Sequence, residues 1–297
     1  MPSAFAPGDE TMLIGLDIGG TNLKAVAVDR DGAVLASTVV AAGGAIPREA
    51  LLAIVSETVA ALAGGERVRV GIAVGGTVPA DGIMRLGTTN LPNLTGIPLA
   101  ETFSGLLGVP CRADHDGRAA MRGEAWVGAA RGVGNALTLT FGTAIGSGLL
   151  LDGRIHAGAH RGAGEIGVWR LGPAPAAGPW PTFEEEAAPG GSVFRARGLD
   201  YGAMLASPPE ARSPAAAEVL ALVGRAIANA HLLLDLDMVV LVGGVTAIGE
   251  PFRAAVAGAY EAACAEEFRH GLVIRLGALG TFCGAIGAAA LWREEAG

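Results

Sequence analysis

The sequence predicts an α/β fold, and three observations carry that prediction. Strand-length apolar runs alternate with segments of helical period. Three of the strands end in glycine-rich turns, near Asp17, Gly142 and Gly243. With 297 residues, 51% hydrophobic and only 17% charged, the chain can bury a large core and is not disordered.

The elements follow in order. Met12 to Val28 reads as strand, Gly-Gly-Thr turn and strand, and Asp29 to Gly32 (DRDG) is a hairpin signal before a third strand, Val34 to Val40. In Arg48 to Ala63 the apolar residues Leu51, Leu52, Val55, Val59 and Leu62 fall on a helical period, which Gly64 and Gly65 stop. Val68 to Val74 is a buried strand, Pro110 to Ala113 a short one, and Gly117 to Gly128 a helix. Ala136 to Phe141 is a strand, and a hairpin follows through Asp152-Gly153. Leu171 to Pro181, rich in Pro, Ala and Gly, is a loop. Ser213-Pro214 starts a helix to about Leu234, Met238 to Val242 is a strand, Glu250-Pro251 opens another helix, and Leu272 to Leu276 is the last strand. A strand feeding a Gly/Thr turn occurs twice, near Asp17 and near Gly142, which suggests two similar halves.

Composition excludes several classes. A net charge of −8 with no basic block argues against nucleic-acid and anionic-membrane partners. Three scattered cysteines, Cys111, Cys264 and Cys283, with no C-x-x-C pair, argue for a reducing cytoplasm and against a cysteine-built zinc site. Met1 to Glu10 lacks the basic start and apolar centre of a signal peptide. Leu276 to Trp292 carries no charge and approaches the length of a bilayer span, but its Gly and Ala content suits a turn and a buried helix better.

Three motifs carry chemistry. In Asp17-Ile18-Gly19-Gly20-Thr21-Asn22, with Lys24 behind, a strand delivers a carboxylate to a glycine turn whose N–H groups can approach an anion. Thr21 adds a hydroxyl, and Asp17 can hold Mg²⁺ through water. Gly142-Thr143-Ala144-Ile145-Gly146-Ser147-Gly148 repeats the pattern. The third is the buried strand ending in Gly243-Gly244. Each alone fits an ordinary turn; together and in this order they point to phosphate binding.

The set resembles the actin-like (ribonuclease H-like) ATPase fold, two α/β domains around a cleft, and within it the ROK (repressor, open reading frame, kinase) family of sugar kinases. The resemblance spans Leu13 to about Trp292 and divides the chain into a smaller domain, 1–116 plus 283–297, and a larger one, 117–282. It implies ATP with Mg²⁺ as the nucleotide, bound by Asp17, Gly19, Gly20, Thr21, Asn22, Lys24, Gly142, Thr143, Gly146, Gly243 and Gly244. It implies Asp116, in His115-Asp116-Gly117-Arg118-Ala119-Ala120, as the base that takes a sugar hydroxyl's proton; by itself this aspartate would read as a helix cap. Asn90, His115, Asp116, Glu165 and Glu184 are the implied sugar contacts, with Glu185 as the alternative to Glu184. The departures are His115 for asparagine, Leu94 for tryptophan, Ala144 for glycine and Val168 for histidine. The cysteine cluster that follows in zinc-containing members is missing, so no zinc is expected.

The resemblance implies an ATP-dependent hexose kinase, glucokinase-like, acting on the 6-hydroxyl of glucose or of an amino-hexose such as kanosamine or glucosamine, and a cytoplasmic homodimer. Polyphosphate stays open as a donor. Ala144 and Val168 keep a non-catalytic sugar-binding protein as the alternative. A transcriptional regulator is disfavoured, because too few residues precede Leu13 for a helix-turn-helix.

Overall fold

The computed structural model describes residues 12–44, 46–84 and 91–293. The chain forms two compact units, Met1–Ala119 with Gly284–Gly297, and Ala120–Cys283.

The first unit holds β1 (Met12–Ile18), β2 (Asn22–Val28), β3 (Val34–Ala41), α1 (Arg48–Ala63), β4 (Val68–Val74), α2 (Leu99–Leu107), β5 (Cys111–His115) and the opening of α3 (Asp116–Val127). Its sheet runs β3-β2-β1-β4-β5. The first three strands are an antiparallel meander, and β4 and β5 add in parallel to β1. The β2–β3 turn forms because Asp29 Oδ1 accepts the N–H groups of Asp31 and Ala33 at 2.9 and 2.8 Å, and Gly32 takes a φ of 86°. Helix α1 stops at Gly64, whose φ of 56° an L side chain rarely adopts. The edge strand β3 leaves Val34, Leu35 and Val39 exposed, while β1 and β4 are buried on both faces.

The second unit holds β6 (Ala136–Phe141), β7 (Ile145–Leu151), β8 (Arg154–Ile155), α4 (Phe183–Ala187), α5 (Ser192–Ala196), α6 (Tyr201–Ala206), α7 (Pro214–Leu234), β9 (Met238–Val242), α8 (Glu250–Ala263), β10 (Val273–Leu276) and the start of α9 (Cys283–Ala289). Its sheet runs β10-β9-β6-β7-β8. Read from β8, this is an antiparallel meander followed by two parallel strands, the strand order and directions of the first sheet. The echo of Asp17 near Gly142 is thus a repeated sheet topology.

Helix α7 is capped by Ser213, whose hydroxyl accepts the Ala216 N–H at 3.2 Å, with Pro214 at the first helical position. By length and hydropathy this 21-residue helix could cross a membrane, yet it supplies Val219, Leu222, Val223, Ala226 and Ile227 to its unit's core. Phe141, Phe194, Tyr201 and Phe252 form an aromatic cluster there, with edge-on and stacked contacts at 5.1 to 5.9 Å. The short helices α2, α4, α5 and α6 were not marked by sequence period.

Two glycines set how the last helix packs on the first sheet. Gly15 and Gly71 are paired across β1 and β4. A Cβ on Gly15 would strike the Ala285 carbonyl, and one on Gly71 the Ala288 carbonyl. Both obstacles are backbone, so neither can swing aside. Gly71→Ala is therefore expected to destabilise the fold by about 1–3 kcal/mol, read as a lower urea midpoint. An unchanged midpoint would contradict the close packing of α9.

Candidate functional site

In the first unit the parallel strands β1, β4 and β5 end together, with Asp17, Ala73 and Asp114 in one register row. Asp17 closes this row, and the turn Gly19–Asn22 begins just beyond it. That turn is held by Gly19 N–H donating to the Asn22 carbonyl at 3.0 Å. It is propped from behind by Ala42 N–H on the Thr21 carbonyl at 3.1 Å and Gly44 N–H on the Gly20 carbonyl at 3.3 Å. Gly43 packs so tightly on Gly20 that a Cβ there would strike it.

The Asp17 side chain is 15% exposed, and its Oδ2 lies 3.4 Å from Lys24 Nζ. Lys24 sits opposite Asp17 in the β1–β2 register, so the lysine next to the glycine turn is paired with the carboxylate. Burial pushes the Asp17 carboxyl up to about 6, the Lys24 ammonium opposes the rise, and the nearby Asp116 carboxylate adds to it. Gly284, at the start of α9, leaves room for Asp17; a Cβ there would meet its carboxylate at 2.9 Å.

Asp116 is the first residue of α3. Its Oδ1 accepts the Gly117 N–H at 2.7 Å and lies 3.1 Å from His115 Nε2. The carboxylate is 43% exposed, and among the described residues Oδ2 accepts no hydrogen bond. The neighbouring His115 is buried, at 7% exposure. Asn90, the remaining first-unit residue implicated by sequence, lies outside the described residues. The turn after it is anchored: Asn93 Nδ2 donates to the Gly43 and Ile46 carbonyls at 3.1 and 3.0 Å, and Leu91 and Leu94 enter the core.

In the second unit the β6–β7 turn carries Gly142 and Thr143, with Gly142 N–H on the Ala144 carbonyl at 3.1 Å. Gly190 packs directly on the Thr143 backbone. Gly146 pairs with Thr140 across the β6–β7 ladder. Gly243 follows β9 with φ 97°, pressed on the Phe141 backbone, so glycine is required there by both conformation and space. Gly244 opens the next turn.

Glu165 precedes a short helical turn that reaches Val168, and Val168 is 51% exposed. Ser147 Oγ, on β7, bonds the Gly164 carbonyl beside it. Glu184 lies in the first turn of α4, and its carboxyl is raised above the usual range, first by burial and then by the Glu185 and Glu165 carboxylates; an Ile145 backbone hydrogen bond lowers it. Glu185 is engaged otherwise. Its Oε2 accepts the Thr182 N–H at 2.7 Å, and Thr182 Oγ1 accepts the Glu185 N–H at 3.4 Å, a reciprocal helix cap.

Sequence alone did not single out three buried charges. Arg118, fully buried, reaches Asp114 with Nε at 2.8 Å and a terminal guanidinium nitrogen at 2.6 Å. Their spacing of four along the chain was the available signal. Glu124, also fully buried, accepts N–H groups from Ala129, Ala278 and Leu279 at 2.7, 3.1 and 3.2 Å. Glu186 is buried at 4% exposure, and burial first, with Glu218 next, raises its carboxyl.

Known proteins extend these observations. The chain is 32% identical to a glucokinase of Thermotoga maritima over 161 residues, 52% of this chain and 49% of that protein. It is 35% identical to an N-acetylgalactosamine kinase of a Shewanella species over 158 residues, 52% of this chain and 50% of that one. The chain thus spans about half the length of these curated relatives. The crystal structure of a ROK family glucokinase from Streptomyces griseus, in complex with glucose and AMPPNP, superposes with a TM-score of 0.78 at 25% identity, covering 94% of this chain and 98% of that one. The repeated sheet is therefore the actin-like ATPase fold. The ROK family profile matches residues 13–186 and 205–295, taking in each glycine turn and both units, and so this chain belongs to the ROK family.

Proposed function

We propose that the protein is a sugar kinase that transfers the terminal phosphoryl group of ATP to the 6-hydroxyl of a hexose. The observation that carries this reading is Asp116: a carboxylate with one oxygen held and the other open, close enough to Asp17 to raise its pKa. Family membership and the kinase relatives support it.

In this reading Asp116 accepts the hydroxyl proton on Oδ2 as the sugar oxygen attacks phosphorus. Asn90, Glu165 and Glu184 orient the ring. Backbone N–H groups of Gly19, Gly20, Thr21 and Asn22, and of Gly142, Thr143 and Gly146, hold phosphate oxygens; Gly243 and Gly244 give the adenosine a close approach. Lys24 serves through its pairing with Asp17. Catalysis is then chiefly positioning and charge stabilisation. The buried, proton-hungry Asp17 fits a role in holding Mg²⁺ through water, and the metal supplies neutralisation of phosphate charge. The cap on Glu185 supports Glu184 as the sugar contact. A cytoplasmic homodimer completes the proposal.

Burial and the Glu185 and Glu165 carboxylates raise the Glu184 carboxyl, and this acidic setting favours a cationic amino-hexose such as glucosamine or kanosamine over glucose. A charge-assisted hydrogen bond contributes about 1.5–3 kcal/mol, so kcat/KM for the amino sugar should exceed that for glucose by roughly tenfold or more. Because the Glu184 carboxyl is raised, its negative charge is present at high pH and lost on acidification earlier than for an ordinary glutamate. The preference should therefore shrink as pH falls. An ATP-consumption assay over a sugar panel, with Asp116→Asn as control, tests the whole reading. No sugar-dependent consumption would refute it, and glucose equal to every amino-hexose would refute the preference alone.

A further inference from the structure

We propose that His115 is a positioning residue, which fixes the Asp116 carboxylate so that Oδ2 is presented for proton abstraction. This rests on Asp116 being the base and assigns His115 a task different from the sugar contact given above.

The geometry supplies the argument. A carboxylate at the first position of a helix can turn about two bonds, and a base must hold its accepting oxygen within a narrow range to be effective. Oδ1 of Asp116 accepts the Gly117 N–H at 2.7 Å, and His115 Nε2 lies 3.1 Å from the same oxygen. An ionised carboxylate only accepts, so the positioning role requires the histidine's proton on Nε2. The Gly117 bond alone fixes one point and leaves the carboxylate a hinge; the imidazole adds the second. The imidazole is itself buried, with a side-chain exposure of 9% against 43% for Asp116.

Its backbone is fixed as well. Asp114 Oδ1 accepts the His115 N–H at 2.8 Å and the Arg118 Nε–H at 2.8 Å, in a pair with side chains 1–2% exposed. A fully buried arginine thus steadies Asp114, Asp114 steadies the main chain at His115, and the His115 ring steadies Asp116. The Nε2 atom of the ring lies on the side of the carboxylate.

The test compares His115→Gln, His115→Asn and His115→Ala in steady-state kinetics with the best sugar of the panel. A glutamine amide nitrogen falls near the place of imidazole Nε2, and an asparagine amide nitrogen near Nδ1. His115→Ala and His115→Asn are expected to lower kcat by roughly 10–100-fold, as an ångström-scale misplacement does, with the sugar KM changed by less than about threefold. His115→Gln should restore most of the lost kcat. A raised sugar KM at preserved kcat would overturn the proposal, and so would a glutamine variant no better than alanine. Crystal structures give a readout that needs no activity. The His115→Ala variant should have Asp116 rotated or split between orientations, whereas an unmoved Asp116 would overturn the proposal. If the wild type consumes no ATP with any sugar, the kinase reading fails and the crystallographic comparison still decides the positioning role.

Discussion

Asp116→Asn is expected to lower kcat by roughly 10²–10⁴, the usual size of a general-base contribution, while leaving the sugar KM and the unfolding midpoint close to those of the wild type. The asparagine keeps a side-chain oxygen to accept the Gly117 N–H, which meets Oδ1 at 2.7 Å, so the start of α3 need not change. What it lacks is a basic oxygen at the open position. With 43% of the side chain exposed, the substitution strands no buried charge. Single-turnover measurements with saturating sugar would locate the loss in the chemical step. Activity within a few-fold of wild type would remove Asp116 from the mechanism.

The second large effect concerns Asp17, and it carries opposite signs for stability and activity. Its carboxyl rises from 3.8 to about 6 on folding, chiefly through burial. A raised pKa means that the folded state prefers the protonated acid. Below pH 3.8 the group costs nothing, and as pH climbs through 6 the ionised form becomes a burden. Two pKa units correspond to about 3 kcal/mol at the alkaline limit. Asp17→Asn, in the absence of nucleotide and Mg²⁺, is thus expected to be more stable than wild type by up to about 3 kcal/mol at pH 8, with the difference fading below pH 4. Lys24, left without its partner, is a third exposed and its loss of pairing offsets little of this. On the proposed role, kinase turnover should fall by roughly 10²-fold or more, since the carboxylate that would hold Mg²⁺ is gone. Urea titrations at pH 4, 6 and 8 measure the stability arm. A variant less stable than wild type at pH 8 would contradict the assigned burden.

Much of the fold was legible because its strongest signals are local. The period of Leu51, Val55 and Val59, stopped by Gly64, is a helix whose bounds match the structure, Arg48–Ala63. Ser213-Pro214 marked the start of α7 by the chemistry of capping. Helix α2 escaped notice because only Leu99 and Phe103 are buried in its nine residues, too few to make a period visible. Helices α4 to α6 are five or six residues long, shorter than two turns, so tertiary packing and caps make them. At the site, residues that touch a ligand by family pattern stood out, whereas those that hold them did not. Nothing in a linear reading says that Arg118 is buried or that Asp114 collects both its guanidinium and the His115 N–H. The duplication was visible only as two similar turns, because strand order is a property of pairing and not of any one segment.

The seating of the last helix on Gly15 and Gly71 has a consequence for biogenesis. The strands bearing Asp17 are made before the second unit, and the backbone that covers them, Ala285 and Ala288, is made after it. All of the intervening unit must be translated first, an interval of roughly ten to thirty seconds at ~5–20 residues per second. The first unit is therefore begun before the second and finished after it, waiting with an uncovered apolar sheet that a chaperone could shelter, while the continuous second unit can mature ahead of it.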